Sequence, residues 1–543
     1  MRARSAALLA DAARQLTARQ ALHRPRRLVP PRLLAGAAPP PGEFAPLAGG
    51  LAVDTAPQSG PLPPPAEDRV FRAFGRSRSA DDPGLWTRTD DGLLFLFHLH
   101  GFSELAPGGA FWVEMVERWL SECGQPALPA WHPYPLSGRV MAWCAALSSG
   151  GWPEPLAGAM VRSLCWQLKF LRRSVEDDIG GNHVLRNACA LVIGGACCGE
   201  EKARRRGLAV LERELPRQVL ADGGHEERSP SYARAVLGDL EGVAEVERRA
   251  GRSAPEPVEA AIWRMRAALA ALAGPDGSLP RLNDAWDGPL VGSDGAAVSN
   301  LADTGYVVLR EGGDQAVLDV GPLCPPHLPP HAHADALSFV LWADGRPVVT
   351  DPGSGGYELE DRDWARATRS HSTVEVDGED QCVFWGPFRA SMLPNVARGP
   401  LVLRDGYTLL SASHDGYRRL GDPAVHERTF CWLPGDGLVV VDRLRARTAH
   451  DVLLTLPLAP SGRGPLRIES LTGAPVTERE GVVAPYFGVR EAAPVLEQRA
   501  RVAPLECFGW VLTRSEARVE IDRETVTVER PGRDPVTFRL AGR

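Results

Sequence analysis

The chain has 543 residues, which is too long for one ordinary hydrophobic core, so two or three domains are expected. Hydrophobic residues make up 44% and charged residues 24% of it, which is the composition of a soluble globular protein. The net charge of −7 gives no general electrostatic reason to bind nucleic acid or an anionic membrane, although a local basic pocket for an acidic ligand stays open.

The N-terminal stretch predicts an amphipathic helix rather than a secretory signal, because Asp11, Arg14 and Arg19 interrupt its apolar run. Residues 30–66 are rich in Pro, Gly and Ala and predict an irregular arm. No stretch reaches the ~18 apolar residues that a membrane span needs. We take 1–66 as an N-terminal helix followed by this arm.

From about residue 83 to 275 apolar residues recur at helical spacing, in segments such as "FWVEMVERWLSEC", "SGRVMAWCAALSS" and "YARAVLGDLEGVAEVERRA". Breaks between the segments predict stacked helical hairpins, and no fixed repeat period indicates a solenoid. The helical domain is placed at 67–290.

Short β-rich runs begin at about residue 303, including "GYVVLRE", "ALSFVLWADGRPVVTD" and "HERTFCWLPGDGLVVVDRL", with "ADGRP" and "PGDG" as hairpin turns. They predict an antiparallel β-sandwich over 291–543. The ten cysteines show no CxxC spacing, so we expect small core residues rather than disulfides or a zinc ribbon.

Three of only 13 histidines fall within seven residues, at His327, His331 and His333, just before a strand-like run. Alternate residues of an extended chain share one face, so the last two would project together. Asp351 at the end of the next strand and His371 at the start of another could join His333 in a zinc set. The alternative is that these histidines are hydrogen-bonded within the sandwich.

In the helical half, Asn182 and His183 open a helix directly after two glycines, where a ligand could approach the backbone and meet a donor. The alternative for Asn182 is a helix N-cap. The stretch "DGGHEERSPSY" places His225, Arg228 and Tyr232 on a loop and the first turn of a helix, although its Ser-Pro is also ordinary helix-start sequence.

The stretch "WHPYPLSGRVMAW" combines Trp131, Tyr134 and Arg139, a mixture of aromatic rings and a guanidinium that suits a sugar acid. Packing between helical hairpins is the alternative. These side chains have no fixed role on sequence grounds alone.

The succession of motifs resembles the heparinase II/III family of polysaccharide lyases, from about residue 85 to 445. The motifs in order are "LWTRTDDGLLFLFHLHGF", "WHPYPLSGRVMAW", "GGNHVLRNACAL", "DGGHEERSPSY", "DTGYVVLR", "HAHADALSFVLWADGRPVVTDPG", "HSTVEVDGEDQ" and "HDGYRRLGDPAVHERTF". The resemblance implies an incomplete (α/α) toroid followed by an antiparallel β-sandwich. It also implies β-elimination on a uronic-acid-containing acidic polysaccharide, the expected partner.

The resemblance implies roles for particular residues. Asn182, with His183 beside it, would neutralise the uronate carboxylate. Tyr232 would protonate the leaving oxygen and serve as base for one C5 epimer, and His331 would be the other base. A phenol needs a positive potential to act as a base, and Arg228 is close enough in sequence to supply it.

The resemblance also implies a structural metal, expected to be zinc, on His333, Asp351 and His371, which would hold the loop that carries His331. His327 would be a solvated bystander. The expected substrate contacts are Arg228, His225, Trp131, Tyr134, Arg139 and Trp385.

The chain departs from the family pattern at two positions. Ala233 stands where many relatives carry His, and Gly101 stands where they often carry an aromatic residue. Both departures concern substrate contacts more than the core chemistry, and the polymer itself is not specified.

Two other function classes stay open. One is a non-catalytic binding protein for an acidic polysaccharide, for example in exopolysaccharide biosynthesis. The other is a glycoside hydrolase on an α-toroid using Asp177-Asp178 or Glu226-Glu227, which we instead expect to be solvated helix-end charges. The resemblance implies a cell-envelope or periplasmic location, with the cytoplasm as the alternative.

Overall fold

The computed structural model describes residues 2–540 except 41–42, 47–57, 59, 107, 358 and 523. Its contacts divide the chain into two compact units. The helical unit comprises the described residues of 16–226 and 232–266, and the β unit those of 1–15, 227–231 and 267–543. The domain limits set from sequence at 67 and 290 stay predictions. The arm expected over 30–66 lies partly outside the described residues.

The predicted helical segments all form helices, and the N-terminal stretch forms two. Each long helix turns an apolar stripe inward, as in α6, where Trp112, Met115, Val116 and Trp119 are buried. The helices are α1 (Arg2–Gln15), α2 (Ala18–His23), α3 (Pro31–Ala35), α4 (Pro65–Asp68), α5 (Leu93–Gly101), α6 (Ala110–Cys123), α7 (Pro133–Ser149), α8 (Glu154–Leu171), α9 (Gly181–Cys197), α10 (Glu201–Gln218), α11 (Pro230–Arg249), α12 (Glu256–Leu272) and α13 (Leu359–Arg366).

Helices α9 and α10 approach each other closely because glycine removes the side chain at their contact. A Cβ at Gly207 of α10 would lie 2.6 Å from the carbonyl oxygen of Ala188 in α9, a distance that real Cβ atoms do not tolerate. This close packing fixes α9, whose first turn carries Asn182 and His183.

The predicted β-runs all form strands, paired antiparallel. In β13 buried residues alternate with partly buried ones, as expected where one face of a sheet is covered more deeply than the other. The strands are β1 (Val70–Ala73), β2 (Arg76–Ser79), β3 (Val298–Leu301), β4 (Tyr306–Glu311), β5 (Asp314–Asp319), β6 (Phe339–Ala343), β7 (Arg346–Val349), β8 (Val374–Val376), β9 (Val383–Gly386), β10 (Arg389–Ser391), β11 (Val396–Arg398), β12 (Val402–Arg404), β13 (Tyr407–His414), β14 (Val425–Leu433), β15 (Gly437–Arg445), β16 (His450–Pro457), β17 (Arg467–Ser470), β18 (Val476–Val483), β19 (Glu491–Val502), β20 (Phe508–Thr513), β21 (Arg518–Asp522), β22 (Thr525–Arg530) and β23 (Arg533–Arg539).

Three sheets build the main core of the β unit: β3-β4-β5-β6-β7, β18-β19-β16-β8, and a larger sheet ordered β11-β13-β14-β15-β20-β17. Their inner faces share one cluster of buried side chains that includes Leu318, Phe339, Phe430 and Leu454. The opposite face of the larger sheet packs against β21-β22-β23 through a second cluster. The predicted order of helices followed by antiparallel sheets is confirmed.

The turn between β6 and β7 forms where "ADGRP" predicts it, with Asp344 and Gly345 both at positive φ. This hairpin carries the chain to Asp351. Helix α13 was not predicted, because its eight residues are mostly charged and show too few apolar positions for a helical period.

All ten cysteines are free thiols, and nine of them are buried, as expected for small core residues. Among the described residues no helix is both long and apolar enough to cross a membrane.

Candidate active site

Three segments of the β unit meet around the "HAHAD" loop. Ser229 Oγ donates to the carbonyl oxygen of Asp284 at 2.7 Å. Asn283 joins the other two segments, because its amide nitrogen donates to the Arg228 carbonyl at 3.1 Å and its amide oxygen accepts from the His333 backbone at 3.0 Å. Residues 227–231, 283–286 and 331–333 are therefore held in one hydrogen-bonded assembly.

This assembly contains two strained backbone positions. Arg228 and Asn283 adopt φ of 56° and 58°, in the left-handed region that non-glycine residues avoid. Such strain costs about 1–3 kcal/mol for a residue such as Arg228 and less for asparagine, and it tends to collect at functional sites. The surrounding hydrogen bonds hold both residues in place.

Asp284 is the central group of the assembly and is fully buried. One carboxylate oxygen lies 2.9 Å from Nδ1 of His331, and the other lies 3.0 Å from Nε2 of His333 and also accepts from the Arg362 guanidinium. Burial by itself raises the pKa of Asp284, but the charge of Arg362 and the two histidine contacts hold it well below its usual range. A buried carboxylate thus orients both histidines of the loop.

His331 has acidic or phenolic neighbours on both ring nitrogens. Its Nε2 lies 3.2 Å from Oε2 of Glu227, and its Nδ1 lies 3.4 Å from the Tyr357 hydroxyl in addition to Asp284. In the structure both ring nitrogens of His331 are therefore occupied by protein groups.

Of the acidic residues expected to be solvated, Asp177, Glu226 and Glu227 are buried instead and Asp178 is partly buried, so that expectation was wrong. Asp177 is buried because Arg213 and other arginines surround it, with Arg213 donating at 2.9 Å. Glu226 and Glu227 are buried too, and Glu227 faces His331. These carboxylates can be buried because oppositely charged or hydrogen-bonding side chains from distant parts of the chain lie against them. The local sequence does not show those partners.

The candidate metal ligands lie next to this assembly. His371 Nδ1 lies 2.8 Å from Oδ2 of Asp351, and the rings of His333 and His371 are 5.2 Å apart. One ligand atom each of His333, Asp335 and His371 lies within 4.8 Å of the others, and all three residues are buried. Asp335 was not among the predicted ligands.

In the helical unit, Glu176 orients His183. Nδ1 of His183 lies 3.0 Å from Oε1 of Glu176, while Asn187 donates to the other carboxylate oxygen at 3.0 Å. Burial alone raises the pKa of Glu176, but His183, His132 and Asn187 together hold it below its usual value. The side chain of His183 stays 27% exposed, so a ligand can reach it.

The aromatic ring of Tyr134 packs against His183, with the ring centroids 4.4 Å apart. Asn182 is buried in the first turn of α9, after Gly180 and Gly181 at positive φ. Of the predicted residues, the helical unit thus brings together Tyr134, Asn182 and His183 near the start of α9.

Tyr232 also belongs to the helical unit. It is buried in the first turn of α11, and Gln58 donates to its hydroxyl at 3.4 Å. That Tyr232 and His331 act in one reaction, as the resemblance implies, stays a prediction.

Comparison with known families decides the relationship of the chain. The family model described as heparinase II/III N-terminus matches residues 110–293, and the model described as heparinase II/III-like, C-terminal, matches residues 293–541. The chain belongs to the heparinase II/III family. The resemblance inferred from sequence motifs is therefore confirmed.

Curated members of the heparinase family resemble part of the chain. A heparin-sulfate lyase of Pedobacter heparinus is 24% identical over 298 residues, which is 47% of this chain and 45% of that protein. A heparin-sulfate lyase of Bacteroides stercoris is 27% identical over 244 residues, or 37% of this chain and 36% of that protein. The aligned part spans less than half of the length of these relatives.

Solved structures of heparinases share the fold. A crystal structure of heparinase III has a TM-score of 0.66 at 16% identity and covers 79% of each chain. A mutant heparan sulfate lyase of Pedobacter heparinus has a TM-score of 0.62 at 18% identity, covering 96% of this chain and 94% of its own. The predicted fold class, an α-toroid followed by a β-sandwich, is confirmed.

Two of the expected substrate contacts, Trp131 and Arg139, lie inside the helical unit instead of at its surface. Trp131 and Arg139 are fully buried, with Trp131 donating to the Cys123 carbonyl and Arg139 to the His100 carbonyl and Gln167. Neither side chain reaches a surface that a polymer could contact, so packing between helices, the alternative interpretation, describes both.

The remaining expected contacts differ in exposure. His225 is buried, and Arg228 donates through its side chain to the carbonyl oxygens of Thr304 and Asp303. Trp385 is partly exposed and has Arg389 over its ring at 4.7 Å. His327, expected to be solvated, is partly buried.

Sequence reasoning missed several groups that lie around the predicted histidines. In the β unit they are Asp284, Glu227, Arg362, Tyr357 and Asp335, and in the helical unit the group is Glu176. Asp284 and Glu176 stand in loop sequence without periodicity, so only the fold shows that they meet a histidine. Asp335 carried a usable signal, because it continues the alternation that begins at His331 and His333.

Proposed function

We propose that the chain is a polysaccharide lyase that cleaves a uronic-acid-containing acidic polysaccharide by β-elimination. The observation that carries the proposal is the match of both heparinase domains over 110–541, with Asn182, Tyr232 and His331 present in the corresponding motifs. The curated relatives named above are heparin-sulfate lyases, which supports an acidic glycosaminoglycan as the substrate class.

The reaction first needs the uronate carboxylate neutralised, so that the C5 hydrogen becomes acidic. We assign this step to Asn182 and His183. Glu176 holds Nδ1 of His183, so Nε2 is the ring nitrogen that the substrate carboxylate would meet.

The proton transfers then fall to His331 and Tyr232. The C5–H electron pair forms the C4–C5 double bond, the C4–O bond breaks, and the leaving oxygen takes a proton from Tyr232. His331 accepts the C5 proton for one epimer, and Tyr232 accepts it for the other. Glu227 occupies the Nε2 side of His331 in the structure, so the substrate would displace that contact before the proton moves.

The site residues fit the divalent metal that the resemblance implies, for which zinc is the expected ion. His333 Nδ1 and both carboxylate oxygens of Asp335 are buried without a hydrogen-bond partner, which is the state that a bound cation would relieve. His333 and His371 would hold the ion together with a carboxylate. Bound metal would cross-link the segments around the loop of His331, as a structural tie.

The activity test is a panel of uronate polymers, including heparan sulfate, chondroitin sulfate and alginate, monitored by the ultraviolet absorbance of the unsaturated uronate. Absorbance with at least one polymer is the expected result. New reducing ends without absorbance would indicate a hydrolase, and polymer binding without cleavage would indicate a binding protein. Either outcome rejects the lyase.

The matching variant is Tyr232→Phe, which removes one hydroxyl and should abolish turnover while leaving polymer binding and the melting temperature nearly unchanged. General acid–base catalysis contributes ~10²–10⁴-fold, so retention of more than about a tenth of wild-type kcat contradicts the role of Tyr232. Tyr407→Phe, at a partly exposed tyrosine of β13, is the control for loss of a tyrosine hydroxyl.

A further inference from the structure

Residues 17–28, which we call the arginine segment because four of them are arginines, pack against the loop before α9. Gln20 of this segment is buried, and its side-chain nitrogen donates to the carbonyl oxygen of Ile179 at 2.9 Å. From there the loop leads through two glycines to Asn182 and His183. The segment precedes residue 110, where the first heparinase match begins, so the family comparison gives it no role.

Two ion pairs join the arginine segment to the same loop. Arg19 pairs with Asp177 at 2.8 Å, and Arg27 pairs with Asp178. Asp177 is buried, and Arg213 of α10 also donates to it at 2.9 Å, so its charge is compensated inside the protein. The side chain of Arg27, in contrast, is 61% exposed. A ligand in solution can therefore reach the Arg27 guanidinium.

The arginine segment carries a concentration of exposed positive charge. Arg24, Arg26 and Arg27 lie on one 3-10 turn, Arg24–Leu28, and all three are exposed. A guanidinium can donate two parallel hydrogen bonds to a carboxylate or to the oxygens of a sulfate. Because an exposed ion pair contributes little to stability, exchanging Asp178 for the anion of a ligand costs Arg27 little.

His132 connects the arginine segment with His183. Its Nδ1 lies 3.9 Å from Oε1 of Glu176, the same oxygen that Nδ1 of His183 contacts at 3.0 Å. Burial lowers the pKa of His132 and Glu176 opposes that effect, whereas the nearby His183 and Arg27 lower the pKa further. An effect of this kind requires the Arg27 charge to lie close to the His132 ring. Arg27 and the partly exposed ring of His183 therefore lie near each other in the helical unit.

The charged groups of an acidic polysaccharide repeat along the polymer, so a site that holds one uronate carboxylate has further anions close by. We propose that the arginine segment is an additional anion-binding surface for this polymer. In it Arg27, helped by Arg24 and Arg26, binds a sulfate or carboxylate of a sugar near the uronate held by Asn182 and His183. The inference rests on the proposed function for the class of its ligand, but it does not depend on cleavage.

The first test is isothermal titration calorimetry of the full-length chain in the Tyr232→Phe background, which is expected to bind polymer without cleaving it. The polymers are heparan sulfate, desulfated heparan sulfate and alginate. Arg27→Gln should raise the Kd about fivefold through the loss of one exposed, charge-assisted contact. Arg24→Gln, Arg26→Gln and Arg27→Gln together should raise it by more than about tenfold, because the three charges act on one polymer.

The matched control is Arg248→Gln in α11. This arginine is 70% exposed and pairs with Glu245 at 2.8 Å, so its replacement removes the same charge and a similar ion pair elsewhere on the helical unit. Its Kd should stay within about twofold of the parent protein, as for an exposed charge that does not contact the ligand. A loss of affinity as large as that of Arg27→Gln would show that only net charge matters, and it overturns the proposal.

The three polymers identify the anion. Weaker binding of heparan sulfate alone assigns a sulfate to the arginine segment, and weaker binding of the unsulfated polymers as well assigns a carboxylate. Either result supports the proposal. An unchanged Kd of the triple variant for every polymer that the parent protein binds overturns it, as does a parent protein that binds none of them.

A further variant separates ligand binding from a purely structural role of the ion pair. Asp178→Asn removes the same pair but leaves the charge of Arg27 in place, so it should bind the polymer at least as tightly as the parent protein. If the pair only anchors the segment, Asp178→Asn weakens binding as Arg27→Gln does, which overturns the proposal. These measurements concern binding alone, so a protein that binds polymer without cleaving it rejects the lyase and leaves this inference supported.

Discussion

Replacing Asp284 by Asn should strongly destabilise the β unit. The carboxylate is fully buried and contacts Nδ1 of His331 at 2.9 Å, Nε2 of His333 at 3.0 Å, and the buried guanidinium of Arg362. The amide keeps one acceptor, puts a donor in place of the other oxygen, and leaves the charge of Arg362 without its counter-ion.

The expected loss follows from the burial of this ion pair. Breaking a buried pair by removing one partner costs about 3–5 kcal/mol. Arg362 also donates to the carbonyl oxygen of Pro387 at 2.9 Å, which retains part of its hydrogen bonding and favours the lower end of that range. Taking about 3 kcal/mol and ~2–3 °C per kcal/mol for a large domain, the melting temperature should fall by about 6–9 °C.

Scanning calorimetry at neutral pH measures this loss, with and without added zinc, because His333 is a proposed ligand. The matched control is Asp451→Asn, which breaks an ion pair to Arg501 at 3.0 Å in which the aspartate side chain is 70% exposed. Such surface pairs contribute only ~0–1 kcal/mol. If the melting temperature of Asp284→Asn stays within about 2 °C of this control, the central role of Asp284 is refuted.

Three further predictions concern other residues. Glu176→Gln should lower kcat by at least about tenfold, because His183 loses the carboxylate that orients it. Steady-state kinetics on a cleaved polymer checks this, and an unchanged kcat contradicts it. His333→Ala should lower the melting temperature and release zinc, whereas His331→Ala should retain zinc and lose turnover on at least one uronate epimer. Elemental analysis measures the bound zinc, and thermal melts with and without a chelator measure its effect on stability. Zinc loss from His331→Ala alone would show that the division of roles is wrong. Burial by itself raises the pKa of Glu247, but two arginine side chains lower it to about 2, so its stabilisation is present above the unfolded pKa of 4.5 and is lost as pH falls from there towards 2. Because one of these arginines is 38% exposed, we expect about 1–2 kcal/mol, and acid unfolding curves of Glu247→Gln should differ from wild type at neutral pH and converge with it near pH 2.

The sequence by itself determined the order of elements and the family. Helical spacing in segments such as 110–123 and alternation in segments such as 407–414 are local properties of the sequence. The structure has a helix at the first segment and a strand at the second. The "HAHAD" loop was recognisable because residue type and spacing carry its signal within a few positions.

Only the tertiary structure decided which acidic side chains contact the histidines of this loop. Asp284 meets His331 across 47 positions, and Glu227 meets it from farther away in the chain. Their sequence neighbours are typical of solvent-exposed loops. Whether such a carboxylate is solvated or buried depends on cations that reach it from other elements, as Arg362 reaches Asp284 from α13.

The surroundings of Asp335 and Asp351, beside the proposed metal, show the same limit. Both aspartates follow a histidine of the loop at plausible distances in sequence, so spacing allows either to bind an ion. Their difference is in hydrogen bonding, because Gly353 and His371 satisfy Asp351 while Asp335 is buried without a partner. Desolvation acts on atoms that are close in space, so the fold sets it and local sequence does not.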